Sequence, residues 1–224
     1  MPLGVSIPVK EVRRYWGYYG PVTDPEADTL ISEAIGHYEK ESEPRSVYRT
    51  FPVSVEDDLI HIGDDVLESK ALARNLKGCS EAVLFAATIG PACDRLVKRA
   101  EIKSSALAAC YQATGAAAVE AYCDMLNDKI TEEARSRGLY SRPRFSPGYG
   151  DLNIESQKIW FRLLDITKKT GISLTDSYLM VPTKSVTAII GLSSNDLPCI
   201  RQGCESCNMS STCEFSRERN SHDS

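Results

Sequence analysis

The stretch Arg144-Phe145-Ser146-Pro147-Gly148-Tyr149-Gly150 decides how this sequence is read. It separates a long helix of small residues from a shorter amphipathic one. Pro147 fixes its own φ and Gly148 is free to take a positive φ, so Pro-Gly specifies a tight turn. The turn sets Arg144 beside Tyr149, a pairing suited to a small ligand that carries a carboxylate and a flat ring. A structural loop around a buried tyrosine is the other reading of the same residues.

On the N-terminal side of this stretch, Ser104 or Ser105 opens a helix that runs to about Arg137. Its first half is built from Ala106, Ala108, Ala109, Ala113, Gly115, Ala116, Ala117, Ala118 and Ala121. Side chains this small admit close approach by another backbone or by a ligand. Glu120 stands among them and needs a partner if that face is covered; a solvated face is the alternative. On the C-terminal side, Ile159, Trp160, Leu163, Leu164 and Ile166 mark the inner face of one helix from about Ile154 to Lys169, stopped by Gly171. Leu179–Val181 and Ser185–Leu192 read as strands, with Pro182 at the break.

Further toward the N-terminus, a short helix is expected over Lys10–Trp16. Asp24-Pro25-Glu26 opens another, with a capping carboxylate followed by proline at the first helical position, and it fades between Glu41 and Pro44. Val47–Val55 alternates and is rich in β-branched and aromatic residues, so it reads as a strand paired with Asp58–Ile62 in a hairpin or meander. Ser69 caps a helix to Leu76. Ala82–Thr88 is an unbroken apolar run, a buried strand or a helix segment. A helix begins at Pro91 and runs to about Arg99. Helices and strands mix without strict βαβ alternation, which favours an α+β fold with mixed helices around a twisted, mainly antiparallel sheet.

Composition excludes several functions. With 42% hydrophobic and 25% charged residues, the 224-residue chain is of ordinary globular type. A net charge of −5 gives no attraction to nucleic acid or to an anionic membrane surface. No apolar run approaches the ~20 residues of a membrane span. Met1–Val5 lacks the basic region and long apolar core of a signal peptide, so the cytoplasm is the expected location. There is no glycine-rich nucleotide loop and no Gly-x-Ser-x-Gly elbow. His37, His61 and His222 lie far apart. These features argue against a self-contained hydrolase or dehydrogenase.

The eight cysteines fall into two groups. Cys79, Cys93, Cys110 and Cys123 are scattered in apolar surroundings and read as small core residues. Cys199-x4-Cys204-x2-Cys207-x5-Cys213 is compact, and four thiolates at such spacing can close around zinc or an iron–sulfur cluster. In a cytosolic chain metal is favoured over disulfides; reduced thiols are the alternative. The chain is thus expected to divide into a body at 1–192, a Cys-rich metal-binding tail at 193–219 and a polar, disordered terminus at 220–224.

The resemblance to a known family rests on an ordered set of motifs over residues 144–190. Arg144-x-Ser146-Pro147-Gly148-Tyr149 resembles the Arg-Pro-Ala-Pro-Gly-Tyr loop of the activation domain of cobalamin-dependent methionine synthase. Ile159-Trp160-x-x-Leu163-Leu164, Lys169-Thr170-Gly171-x-x-Leu174-Thr175-Asp176-Ser177-Tyr178 and Met180-x-Pro182-x-x-Ser185-Val186 follow in the family's order. Upstream, Glu120-Ala121-Tyr122 resembles its Ala-Glu-Ala-Phe helix, and the rest of the N-terminal part looks closer to stand-alone activation subunits than to the fused domain.

The resemblance implies an activation-domain fold and a binding module for S-adenosylmethionine. Arg144 would hold the ligand carboxylate and Glu120 its ammonium group. Ser146, Pro147 and Gly148 would form a close backbone wall, and Tyr149 would line the adenine or ribose. Cobalamin would be supplied by a partner, a methionine synthase or another corrinoid protein, and the electron by a donor such as a flavodoxin or ferredoxin. The implied function is that of a stand-alone activation subunit. A reductive activator of another corrinoid methyltransferase, or a non-catalytic binding module, are the alternatives. The family's glutamate six residues before the loop arginine is Gly138 here, and its tyrosine after the last strand falls at Pro198.

Overall fold

A computed structural model of the chain describes residues 3–18 and 24–196. Its centre is β4 (Glu81–Thr88), the unbroken apolar run, from Ala82 to Thr88 buried at every position. A strand points successive side chains to opposite faces. Val83, Phe85 and Ala87 therefore enter one core, and Ala82, Leu84 and Ala86 enter another. The run has no polar alternation because helices cover both faces of the sheet.

Around β4 lies a six-stranded sheet in the order β3-β2-β1-β4-β8-β5. Its strands are β1 (Arg45–Glu56), β2 (Leu59–Ile62), β3 (Asp65–Glu68), β5 (Tyr140–Ser141) and β8 (Ser185–Ser193), and every pairing is antiparallel. On one face pack α1 (Val9–Trp16), α2 (Pro25–Glu41), α4 (Ala92–Lys103) and α5 (Ser105–Ser136), with Val12, Ile31, Tyr38 and Leu96 in the shared core. On the other lie α3 (Lys70–Leu76), α6 (Gln157–Leu164) and α7 (Ile166–Thr170), centred on Trp160. A small hairpin of β6 (Ser173–Leu174) and β7 (Met180–Val181) completes the body. The expected α+β class with a mainly antiparallel sheet is what the chain forms.

Local signals set most boundaries. The Asp24 carboxylate accepts from the N–H groups of Glu26 and Ala27, and Pro25 opens α2. Ser104 caps α5 through the N–H of Leu107. The small residues of α5 admit side chains: a Cβ at Gly115 would lie 2.6 Å from the Tyr38 hydroxyl and 3.0 Å from Lys184 Cε. Cys79, Cys93, Cys110 and Cys123 are buried free thiols, as expected.

Two expectations need correction. The single helix over Ile154–Lys169 is a 3-10 turn (Ile154–Ser156) followed by α6 and α7, because Asp165 takes φ 57° and ψ 42° and breaks the helical hydrogen bonding. The Pro91 helix runs on to Lys103. Of the expected hairpin or meander after β1, the chain forms the meander, because the short β3 pairs with β2. Cys199, Cys204, Cys207 and Cys213 lie outside the described residues, as does the chain beyond Asp196.

Candidate functional site

The site is formed where the chain leaves α5 and doubles back along the edge of the sheet. Gly138, at φ 73°, reverses direction, and the Leu139 N–H bonds back to the Ala134 carbonyl at 2.9 Å. The chain then follows β8: Tyr140 opposes Ser193, Ser141 opposes Leu192, and Phe145 exchanges two hydrogen bonds with Ile189 at 2.9 and 2.8 Å. This return path also runs along α5. Thr131 and Ser141 share a hydroxyl contact at 2.9 Å. From Ser141, three extended residues advance the strand by ~10 Å to Arg144, and seven helical residues cover about the same distance back from Thr131 to Asp124. Helix rise and strand rise thus bring Arg144 opposite Asp124 and, one turn earlier, Glu120.

Arg144 donates from Nη2 to Glu120 at 2.6 Å and from Nη1 to Asp124 at 2.5 Å. Glu120 and Asp124 share a face because they are four residues apart on one helix. Their side chains are 42% and 68% exposed, against 24% for Arg144, so the cluster sits in a shallow recess. Burial opposes the arginine's charge, but the bond to Asp124 and the fields of both carboxylates outweigh it and hold Arg144 above its ordinary range. The same burial and the field of Glu120 push the neighbouring Cys123 thiol up to about 12, so it stays protonated. Tyr15 of α1 also lies within the field of Glu120; burial first and that field second raise its pKa.

The turn follows directly. The Tyr149 N–H bonds the Ser146 carbonyl at 3.1 Å, and Gly148 sits at φ 87°, the type II arrangement. Pro147 is buried, and Gly148 donates its N–H to Leu152 at 2.9 Å. Tyr149 is 65% exposed, with its ring edge-on to Phe145 at 6.4 Å. The buried-tyrosine reading of the loop is therefore corrected. Beyond the turn, Asp151 anchors the loop to α3: its carboxylate accepts from Ser69 Oγ at 2.5 Å and from the N–H groups of Lys70 and Ala71 at 2.8 and 3.1 Å. The Ser69 bond above all, helped by those N–H groups, outweighs the opposing desolvation and holds the Asp151 carboxyl below its usual range.

Of the sequence-derived candidates, Glu120 and Arg144 meet directly; Ser146, Pro147, Gly148 and Tyr149 form the turn that follows, with the Tyr149 ring on Phe145, which packs against the core on the other face of the sheet. Asp124 and Tyr15 were missed. Asp124 was accessible in principle, as the next acidic residue on Glu120's helical face; nothing local marks Tyr15. A groove of about 640 Å³ lies behind the loop, between β3, α3 and the start of α6. Its lining includes the Lys158–Glu155 pair at 2.8 Å and Asp151, which caps α3. Among the described residues no group of three or more His, Cys, Asp or Glu side chains could hold a metal ion. No described helix is long and apolar enough to cross a membrane.

Comparison with known proteins agrees with this picture. No curated protein matches the chain. A crystal structure of the MetH reactivation domain bound to AdoHcy superposes with a TM-score of 0.61 at 22% identity, over 80% of this chain and 68% of that one. At that identity the likeness establishes the fold. The family described as vitamin B12 dependent methionine synthase, activation domain, matches residues 77–196, just over half of the sequence, and includes Glu120, Asp124, Arg144 and the whole turn. The chain belongs to the family of vitamin B12 dependent methionine synthase activation domains.

Proposed function

We propose that this chain binds S-adenosylmethionine at the Glu120–Arg144–Tyr149 cluster and acts as a stand-alone activation subunit, supporting reductive remethylation of the Co(II) cobalamin of a partner methionine synthase. The observation that carries this reading is the recessed Arg144 guanidinium, flanked by two carboxylates and followed by a turn with an exposed tyrosine. Two of the guanidinium's five N–H donors are used by Glu120 and Asp124, which leaves three for a ligand carboxylate. Glu120 would receive the α-ammonium group and Tyr149 would line the adenine or ribose. Ser146, Pro147 and Gly148 would form the wall between them.

The chemistry asks little of the protein beyond placement. The sulfonium gives up its methyl group to the partner's reduced corrinoid; the C–S electron pair stays on sulfur, leaving S-adenosylhomocysteine. An external donor such as a flavodoxin or ferredoxin supplies the electron. No step requires proton transfer, so the cluster needs no general acid or base. Cys199, Cys204, Cys207 and Cys213 would hold an iron–sulfur cluster or zinc in a tail at 193–219, and an iron–sulfur cluster there could relay the electron. Metal analysis and redox titration of the purified protein test the relay: zinc, or no redox couple, removes it.

The activity itself is tested by mixing the chain with a Co(II) corrinoid protein, S-adenosylmethionine and a reductant. The expected result is the methyl-Co(III) spectrum, dependent on this chain. Its absence with every corrinoid protein tried, while the ligand still binds, would reduce the role to a binding module. The partner that responds separates methionine synthase from other corrinoid methyltransferases.

A further inference from the structure

The open edge of β3 borders the groove behind the loop. The sheet ends on β3, which pairs with β2 alone. The phase of that pairing is fixed by the Ser69 N–H, which donates to the Asp58 carbonyl at 2.9 Å. Hydrogen-bonded and non-hydrogen-bonded pairs alternate along an antiparallel ladder. Ile60–Leu67 and Ile62–Asp65 are therefore bonded pairs, and Leu59–Glu68 and His61–Val66 are not. The N–H and C=O groups of Val66 and Glu68 thus point away from β2, and no described residue bonds them. Val66, Leu67 and Glu68 line the groove on the β3 side, and Glu155, Lys158 and Ile159 on the α6 side. Edge strands are ordinarily short, charged or covered. β3 is short, but it leaves the apolar Val66 51% exposed. At the opposite edge, β5 is closed against α5 by the contact between Ser141 and Thr131.

We propose that this groove takes an extended segment of a partner protein, alternating apolar and basic residues, as an added strand beside β3. Main-chain bonds to Val66 and Glu68 set its register. Alternation follows from strand geometry: side chains on one face enter the groove on the side of Leu67, and those on the other lie beside Val66 and Glu68. Charge selects the sequence. Four carboxylates line the groove, those of Asp58, Glu68, Asp151 and Glu155, against the two ammonium groups of Lys70 and Lys158, a formal sum of −2. Lys158 is held by Glu155 at 2.8 Å, and Lys70 lies 4.0 Å from Asp58. Glu68 has no cation of its own among the described residues, and a lysine or arginine on the added strand supplies one. The same charges disfavour the two occupants nearest at hand. A second copy would set one acidic edge against another. The chain's own residues 197–224 carry three arginines against four acidic residues, so they bring no positive excess. The groove and the Arg144 cluster share no residue, so each is tested without the other.

The probe is a fluorescein-labelled peptide of sequence Lys-Val-Lys-Val-Lys-Val-Lys, titrated against the full chain by anisotropy, with backbone amide shifts of the isotope-labelled protein read in parallel. Saturable binding is expected, with the shifts centred on Val66 and Glu68 and an affinity that falls as salt rises. The same peptide with glutamate for each lysine, or proline for each valine, is expected not to bind. Val66→Pro removes one outward N–H and leaves the β2 ladder intact; it is expected to keep the wild-type Tm and to weaken binding by about three- to ten-fold. Glu68→Lys is expected to cost about as much at low salt and less at high salt. Should Val66→Pro fail to fold, Glu68→Lys decides. Equal binding of the proline peptide, shifts centred elsewhere, unchanged affinity in Glu68→Lys, or no binding at all would overturn the proposal. Slow hydrogen exchange at the Val66 and Glu68 amides of the protein alone would show the edge already covered, by the chain's own C-terminal residues or by a second copy, and would overturn it as well.

Discussion

Gly148 shows how narrowly the loop is specified at the level of a single residue. Its φ of 87° lies in the region that L side chains avoid, and a Cβ there would sit 3.0 Å from Ile154 Cδ1. Gly148→Ala is expected to cost about 1–2 kcal/mol in chemical denaturation, and to weaken ligand binding by tilting Tyr149; unchanged stability and affinity would show the turn to be unconstrained. This turn was legible in the sequence because Pro-Gly carries its own geometry. Arg144 and Glu120 were legible too, one from its place in the motif and the other as a carboxylate in a stripe of small residues that needed a partner. Their direct contact was not, because it depends on the length of the return path from Gly138, which no local pattern encodes. Tyr15 was invisible for the same reason: α1 joins the site only through packing on α5.

Among the elements, α3 is where the loop is tied to the body. Ser69 caps it from within the chain's local sequence, and Asp151 adds a second cap from across the fold. Asp151→Ala is expected to cost about 1 kcal/mol of stability, and to loosen residues 148–153 as read by amide hydrogen exchange; protection equal to the wild type there would contradict this role. The pH dependence follows from the depressed Asp151 pKa. The native carboxyl binds a proton less readily than the unfolded one, so its contribution is fully present above about pH 4, the unfolded value. It is lost as pH falls through the lower native value, and Asp151→Asn should remove that part of the acid dependence. Ser69 was read correctly as a cap, whereas its long-range partner was not. The break at Asp165 was missed because the apolar spacing of Ile159–Ile166 continues across it, although the backbone there is left-handed.

For the whole molecule, the decisive feature is a sheet buried on both faces. The unbroken run Ala82–Thr88, read from the sequence as a buried strand or a helix segment, is the strand, and it lacks alternation because an antiparallel strand needs a polar side only where one face is wet. Which helix covers which face could not be read, because it is set by connections of very different length. Trp160 ties the second face down: it is fully buried, and its Nε1 donates to the Ala188 carbonyl on β8 at 2.9 Å. Trp160→Ala is expected to cost about 3–5 kcal/mol, measured by thermal or denaturant unfolding; a loss below about 1 kcal/mol would mean that α6 is not part of the core. The short strands β3, β5 and β6 escaped notice because two to four residues carry no period. The same arrangement positions β8 as the rail along which Arg144 is delivered to α5, so fold and site stand or fall together. The most direct test is a calorimetric titration of S-adenosylmethionine into the wild type and Arg144→Ala side by side. Saturable one-to-one binding is expected for the wild type, with a loss of about 10- to 100-fold in the variant, the worth of a charge-assisted contact to a carboxylate. Equal affinity in the two proteins, or no binding to the wild type, would contradict the account.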